Sequence, residues 1–313
     1  MPSSKPPENQ NSCQNGKVLT RHKSSTRPGR GIIVPKDDVR FGWKRGGAYE
    51  DISTYKYVNE DAFIFDSVDL RNTIFTDTQG AKVSFPDVSS QGKLYSCSAI
   101  ALAFCYQFDM LKNKASFGPN KTSDPSILFI YYYARKFENT INSNTGVNIS
   151  TGVQQVLEIK GVCSETDWPY NGSDTSIPPN VAKYLEEPNA LAISNALTHK
   201  VTKETNYQAL GKLLNNYKLN LQKGFPVVFG FNVYSSFLKI SKSNPVMPIP
   251  TQNETLLGQH AVTMVGFKEK EQVFIMRNCW GSRWADNGYF YMPYSYVDSN
   301  ECSDFWSITD ETN

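Results

Sequence analysis

The sequence predicts an α+β protein of two lobes, on three observations. Helix signals crowd the first half of the 313-residue chain, short β-branched and aromatic runs crowd the second, and a polar basic stretch precedes both. Helices and strands that segregate along a chain give an α+β arrangement, not an alternating one. At this length, with 39% hydrophobic residues, the chain can bury either one large core or two.

Residues 1 to about 30 are rich in Ser, Pro, Asn, Gly and Lys, with almost no large apolar side chains to offset the entropy of ordering. Disorder is the expectation there. Ten basic against three acidic residues give positions 1–46 a charge of +7, which leaves −5 for the remainder of a net +2. A solvated tail is the plain reading of that charge. The absence of aromatics among the early charges argues against nucleic acid as a partner. Phe41, Trp43, Tyr49, Tyr55 and Tyr57 then supply aromatic anchors in a turn-rich stretch. We place a leader at residues 1–66 and a compact domain at 67–313, with a helical lobe over about 91–205 and a β lobe over about 206–308.

Within that domain, Ser96 to Lys114 reads as a helix, with Ser96 as cap and apolar residues on every side. A helix apolar all round belongs inside a protein. A second helix is predicted from Pro125 to Glu138, with Pro125 at the first helical position. A third runs from Thr151 to Ile159 and stops at Gly161. A fourth is expected near Tyr207 to Gln222. The segments PVVFGFNVY, HAVTMVGF, QVFIMRNCW and GYFYMPYSYV read as strands separated by turn residues.

Composition also excludes classes of function. No run of eighteen apolar residues occurs and the opening MPSSKPPENQNSCQNG has no apolar h-region, so neither a membrane span nor a secretory signal is expected. Six cysteines are too sparse for a disulfide scaffold, none forms a CxxC pair, and three histidines offer little to a metal. The expectation is reduced thiols, no metal and no cofactor.

Cys97 stands at the start of the predicted buried helix, where unpaired amides and the helix dipole favour a thiolate. A cysteine on an apolar helix is ordinarily packing, and Cys105 takes that bland reading. The surrounding segments change the balance for Cys97. QGKLYSCSAIALAF puts Gln91 six residues before Cys97, GQHAVTMVGF puts His260 at the head of a strand, and MRNCWGSRWADNGYFYMPY puts Asn278 before a Trp-Gly turn. These three segments resemble, in the same order, the active-site segments of the papain family of cysteine peptidases. VDLR, KGVCSETDWPY and PVVFGFNVYSSF extend the resemblance over about residues 66 to 308. It is closest to the cathepsin-like branch of microbes and large viruses, in which a GW-containing leader precedes the catalytic domain.

The resemblance implies a papain-like fold with a helical N-terminal lobe, a β-barrel-like C-terminal lobe and the cleft between them. It implies Cys97 as nucleophile, His260 as base, Asn278 orienting that base, Gln91 as an oxyanion donor and Trp280 shielding the His260–Asn278 bond. A backbone edge at Gly146, Val147 and Asn148 is expected to pair with substrate, and Ser303 or Asp304 to floor the S2 pocket. Asp304 in that floor implies acceptance of basic P2 residues; otherwise hydrophobic P2 is expected. The implied partners are protein or peptide substrates, with the leader as an internal inhibitor.

Departures from the family pattern are also legible. Leu94 and Tyr95 stand where relatives have Cys-Gly, so the disulfide beside the active site is absent, which fits an intracellular or virion-associated, reducing location. Ser98 replaces the usual Trp and Cys279 the usual Ser. His260 follows Cys97 by 163 residues, beyond the ~130 to 150 of the papain signature. The extra length is expected around Ser235 to Thr255, beside the primed side of the cleft. Without a histidine in that loop to capture a chain terminus, endopeptidase action is expected. The alternatives are a catalytically silent binding or structural protein of the same fold, and acyl transfer to an amine; the latter usually takes Asp where this chain has Asn278.

Overall fold

The first long helix begins where the sequence runs out of turn residues and into SAIALAF. α1 (Cys97–Lys112) is buried along almost its whole length, including Ala99, Leu102, Cys105 and Phe108. In this computed structural model the described residues are 65–118, 121–170, 182–201 and 207–309. The expectations placed on residues 1–64, including the disordered tail and the aromatic anchors, lie outside them.

Three short strands precede α1: β1 (Ser67–Asp69), β2 (Phe75–Thr76) and β3 (Lys82–Val83). Ser96 occupies the cap position of α1, but its hydroxyl does not cap. It lies 2.6 Å from the Tyr170 hydroxyl, while the Ser96 carbonyl accepts the first helical bond from Ile100 N. α2 (Ile127–Phe137) begins two residues later than predicted. Ser126 is its cap and accepts from Phe129 N at 3.1 Å, and Pro125 stays extended in a bridge to Ser164. A hydroxyl that satisfies an orphan amide outranks a proline that merely tolerates the first turn.

The predicted third helix forms as α3 (Ile149–Thr151), running straight into a π-type helix over Gly152–Lys160. Gly152 lets that helix approach α1, since a Cβ there would stand 2.3 Å from Leu102 Cδ1. α4 (Ala190–Ala196) completes the helical side. The helix predicted from Tyr207 is shorter than expected. Tyr207–Ala209 is instead a strand, β4, and α5 spans Leu214–Gln222. β4 pairs with the strand nearest the C-terminus, and Gly211 at φ 61 turns the chain before α5 begins.

The predicted strands are β5 (Val227–Tyr234), β6 (Leu256–Lys268), β7 (Val273–Arg277) and β8 (Tyr289–Pro293). α6 (Tyr294–Val297) and β9 (Cys302–Ile308) follow. The sheet order is β4-β9-β5-β6-β7-β8, antiparallel throughout, with β1 paired to the end of β6. Alternate side chains on a strand face opposite ways, and here they divide between two cores. Val228, Ala261 and Trp306 join α1, α2, the π-type helix and α4 in one cluster. Phe229, Phe231, Val262 and Met264 fill the other with Leu221, Phe274 and Phe290. The structure is the α+β, two-lobe architecture expected from the sequence.

Candidate active site

α1 and β6 bring the predicted nucleophile and base together. Cys97 is the first residue of α1 and is fully buried; the backbone N–H of Ala261, next to His260 on β6, points at Cys97 Sγ from 3.4 Å. The helix is fastened to the strand below this point, where Thr263 Oγ1 donates to Ala101 O.

The tautomer of His260 follows from its neighbours. Asn278 Oδ1 accepts the backbone N–H of Cys279 at 2.8 Å, which identifies that side-chain atom as the oxygen. His260 Nε2 lies 2.8 Å from the same oxygen, so Nε2 carries the proton and Nδ1 is the basic nitrogen. Burial pushes the imidazole down to about 4, opposed by the hydrogen bond to Asn278, which raises it. Trp280 packs over the ring at 5.1 Å between centroids, and Phe231 lies edge-on at 5.9 Å.

Gln91 is fixed from three sides. Its backbone N–H donates to Cys279 O, its Oε1 accepts from Cys279 Sγ at 3.0 Å and from Trp280 Nε1 at 3.1 Å, and its Nε2 donates to Leu94 O at 2.8 Å. Burial, with the charge of Cys97 adding to it, holds the Cys279 thiol well above the ordinary thiol range, so it remains a donor. Segments 89–91 and 279–281 thus run together as a short pair, closed by Gly281 N on Ser89 O.

The expected substrate-contacting residues fall into two groups on opposite sides. On the helical side Gly146 and Val147 are buried; Val147 O accepts from Ser98 Oγ at 2.8 Å, and Asn148 N donates to Glu138 Oε1 at 2.8 Å. On the sheet side Ala261, Gly230 and Ser303 line up across β6, β5 and β9. Asp304 sits between the groups at φ 63. Its Oδ2 accepts from Ile149 N at 3.0 Å and its Oδ1 from Trp306 Nε1 at 2.7 Å.

Several participants were not visible in the sequence. Tyr170 reaches both Ser96 and the Gln91 carbonyl, Phe237 packs edge-on against Trp280, and Asn144 bridges to Tyr95 and Lys93. Cys279 carried a signal as a departure from the expected serine, and Tyr170 and Phe237 end two segments of the family resemblance, but none of these was given a role, and Asn144 carried no signal. The Ser235–Thr255 segment, where extra length is expected, opens with a short 3₁₀ turn and then runs along β8, where Met247 N donates to Tyr291 O and Tyr291 N to Pro245 O. Among the described residues all five cysteines are free thiols, no cluster suits a metal, and no helix is long and apolar enough to cross a membrane.

Known proteins resemble the chain in sequence and in fold. The profile described as papain family cysteine protease matches residues 134–305, a stretch that includes His260 and Asn278. An uncharacterized peptidase C1-like protein of Acanthamoeba polyphaga mimivirus is 39% identical over 226 residues, 71% of this chain and 70% of that protein. The viral cathepsin of Cydia pomonella granulosis virus is 26% identical over 200 residues, 63% of this chain and 52% of its own length. Among solved structures, Xylellain, a cysteine protease from Xylella fastidiosa, superposes with a TM-score of 0.71 at 32% identity, covering 92% of this chain and 99% of that one. A thiol at a helix start beside a buried, amide-tethered imidazole is thus accompanied by likeness of sequence and of fold, and the chain belongs to the papain family of cysteine proteases.

Proposed function

We propose that this chain is an endopeptidase working through Cys97, His260 and Asn278, with Gln91 as oxyanion donor. The observation that carries the reading is the Cys279 N–H on Asn278 Oδ1, because it identifies the Asn278 oxygen and with it His260 Nδ1 as the nitrogen left to act as base. In the proposed cycle His260 Nδ1 takes the thiol proton and the thiolate attacks the scissile carbonyl. Gln91 Nε2 and the Cys97 backbone N–H stabilise the oxyanion, a contact worth ~3 kcal/mol in other hydrolases. The imidazolium then protonates the leaving amine, and the thioester left on Cys97 is hydrolysed by water with His260 again as base. An imidazole pushed down by burial keeps its proton only with an anion such as the thiolate beside it.

Non-prime substrate residues lie along the 146–148 edge as an added strand. Val147 O and Asn148 N are already engaged, which moves the pairing to Gly146. The S2 pocket is proposed over the Ala261–Gly230–Ser303 row, where glycine leaves room for an apolar side chain. The Asp304 carboxylate is committed to Ile149 and Trp306, so basic P2 residues gain no partner from it. Residues 1–66 are proposed to restrain the peptidase by crossing the cleft. A reducing location, inside a cell or a virion, accords with the free thiols of the described residues, and thiol mapping of the native protein checks it.

The reading is tested with Cys97→Ala and His260→Ala, each expected to abolish thiol-dependent peptide hydrolysis, and with an epoxysuccinyl inhibitor, expected to label Cys97 alone. Near-normal hydrolysis in either variant means the wrong centre has been named. A folded wild-type protein that neither hydrolyses nor labels is a papain-fold binding protein instead.

A further inference from the structure

The proposed substrate edge and the loop carrying the nucleophile belong to different segments, and one side chain joins them. Asn144 stands two residues before Gly146. Its Oδ1 accepts the backbone N–H of Tyr95 at 2.9 Å, and its Nδ2 donates to the carbonyl of Lys93 at 2.9 Å. Those two peptide groups flank Leu94, whose own carbonyl accepts from Gln91 Nε2, and Tyr95 lies two residues before Cys97. The Asn144 amide therefore grips the loop midway between the proposed oxyanion donor and the nucleophile.

Its surroundings hold the amide in one orientation. The Tyr131 hydroxyl lies 2.9 Å from both Asn144 Oδ1 and Thr145 O, and burial raises this phenol so that it stays a donor. Behind it, Arg135 donates to the carbonyls of Ile141 and Ser143. Among the described residues no disulfide ties the two segments. One amide that accepts from an N–H and donates to a C=O two residues apart imitates a strand pairing and fixes both position and rotation of the loop.

We propose that Asn144 is a positioning residue that sets the separation between the edge holding the acyl half of a substrate and the Gln91–Cys97 loop that attacks it. The proposal rests on the peptidase reading above. A substrate that lies on the edge and also reaches Cys97 feels any change in that separation; one that occupies only the position beside Cys97 does not. Uniform loss of stability, in contrast, reduces both alike.

The test uses the full chain as wild type, Asn144→Ala and Asn144→Asp, with three probes. These are a peptide amide filling P3 to P1, p-nitrophenyl acetate, whose acyl group reaches Cys97 without lying on the edge, and iodoacetamide as a reporter of Cys97 reactivity. Asn144→Ala is expected to lose about 30- to 100-fold in kcat/KM on the peptide, mostly in kcat, since a displacement of about 1 Å costs on that order. Ester hydrolysis and alkylation are expected to stay within about threefold. Asn144→Asp, which keeps the acceptor for Tyr95 and loses the donor to Lys93, should fall between wild type and Asn144→Ala on the peptide. Equal losses on peptide and ester, or no loss on either, overturn the positioning role. A wild-type chain inactive on both substrates removes the peptidase reading instead, which is a separate result.

Discussion

His260 Nε2 and the Cys279 amide share one acceptor, Asn278 Oδ1, and that sharing has a titration consequence. Removing the thiol as Cys97→Ala leaves a buried imidazole with no thiolate to pair with. Its folded value is about 4 against an ordinary 6.5, so the folded state resists the proton that the unfolded state accepts. The stabilisation is complete above 6.5 and is lost as pH falls through that value toward 4, on the order of 3 kcal/mol in all. Thermal midpoints of Cys97→Ala between pH 7 and 4 should therefore fall more steeply than those of Cys97→Ala with His260→Gln. Matching slopes would show that the imidazole is not held neutral by burial. At this scale the sequence was informative wherever local context sufficed: Cys97 before SAIALAF, His260 at the head of a strand, Asn278 before Trp-Gly. It was silent on Cys279 donating to Gln91 and on Asn144 gripping Tyr95, because partners 188 and 49 positions apart leave no local pattern.

The π-type helix depends on how it ends. Gly161 has φ 73, and a Cβ there would stand 1.9 Å from the carbonyl oxygen of Ala196 and 2.8 Å from that of His199. Backbone atoms cannot swing aside as a side-chain tip can. Gly161→Ala is expected to cost on the order of 3 kcal/mol in chemical denaturation, against about 1 kcal/mol for Gly80→Ala, whose φ is similar but whose surroundings are open. Similar losses in the two variants would reduce the Gly161 requirement to its dihedral angle alone. The stop at Gly161 was readable because helix termination is a local property of glycine. The start of α5 was not: Tyr207–Ala209 became a strand through β9, and that partner lies about a hundred residues further along. Pro125 failed as a helix start for a different reason, since a better cap stood beside it in Ser126.

Over the whole molecule, charge separates the two ends of the chain. Residues 1–66 sum to +3 and residues 67–313 to −1, so the attraction between leader and catalytic part comes chiefly from the first 46 residues and falls as salt screens it over ~8 to 10 Å. If the leader restrains the enzyme, a chain beginning at Ser67 should hydrolyse peptides faster than full-length protein at neutral pH and low salt. The difference should shrink as ionic strength rises. Equal rates at all salt concentrations would leave the leader without an inhibitory role. Division into helical and strand halves was legible from composition, because amphipathic period and residue type are local properties. The division of β5 and β6 side chains between two cores was not, since alternation says that two faces exist but not what covers each.

The Ser235–Thr255 segment, where the extra length of the Cys97–His260 interval is expected, passes along the open side of β8. There Tyr291 exchanges backbone hydrogen bonds with Pro245 and Met247, and Met247 is buried against the strand. At the far margin β4 is only three residues long. An exposed strand margin invites other chains to add themselves, and natural proteins shorten or cover such margins. In an enzyme proposed to hold its substrate as an added strand, this has a further consequence. Among the described residues, extended polypeptide then meets little vacant margin at either end of this sheet on which to dock unproductively, and copies of the protein meet little through which to polymerise.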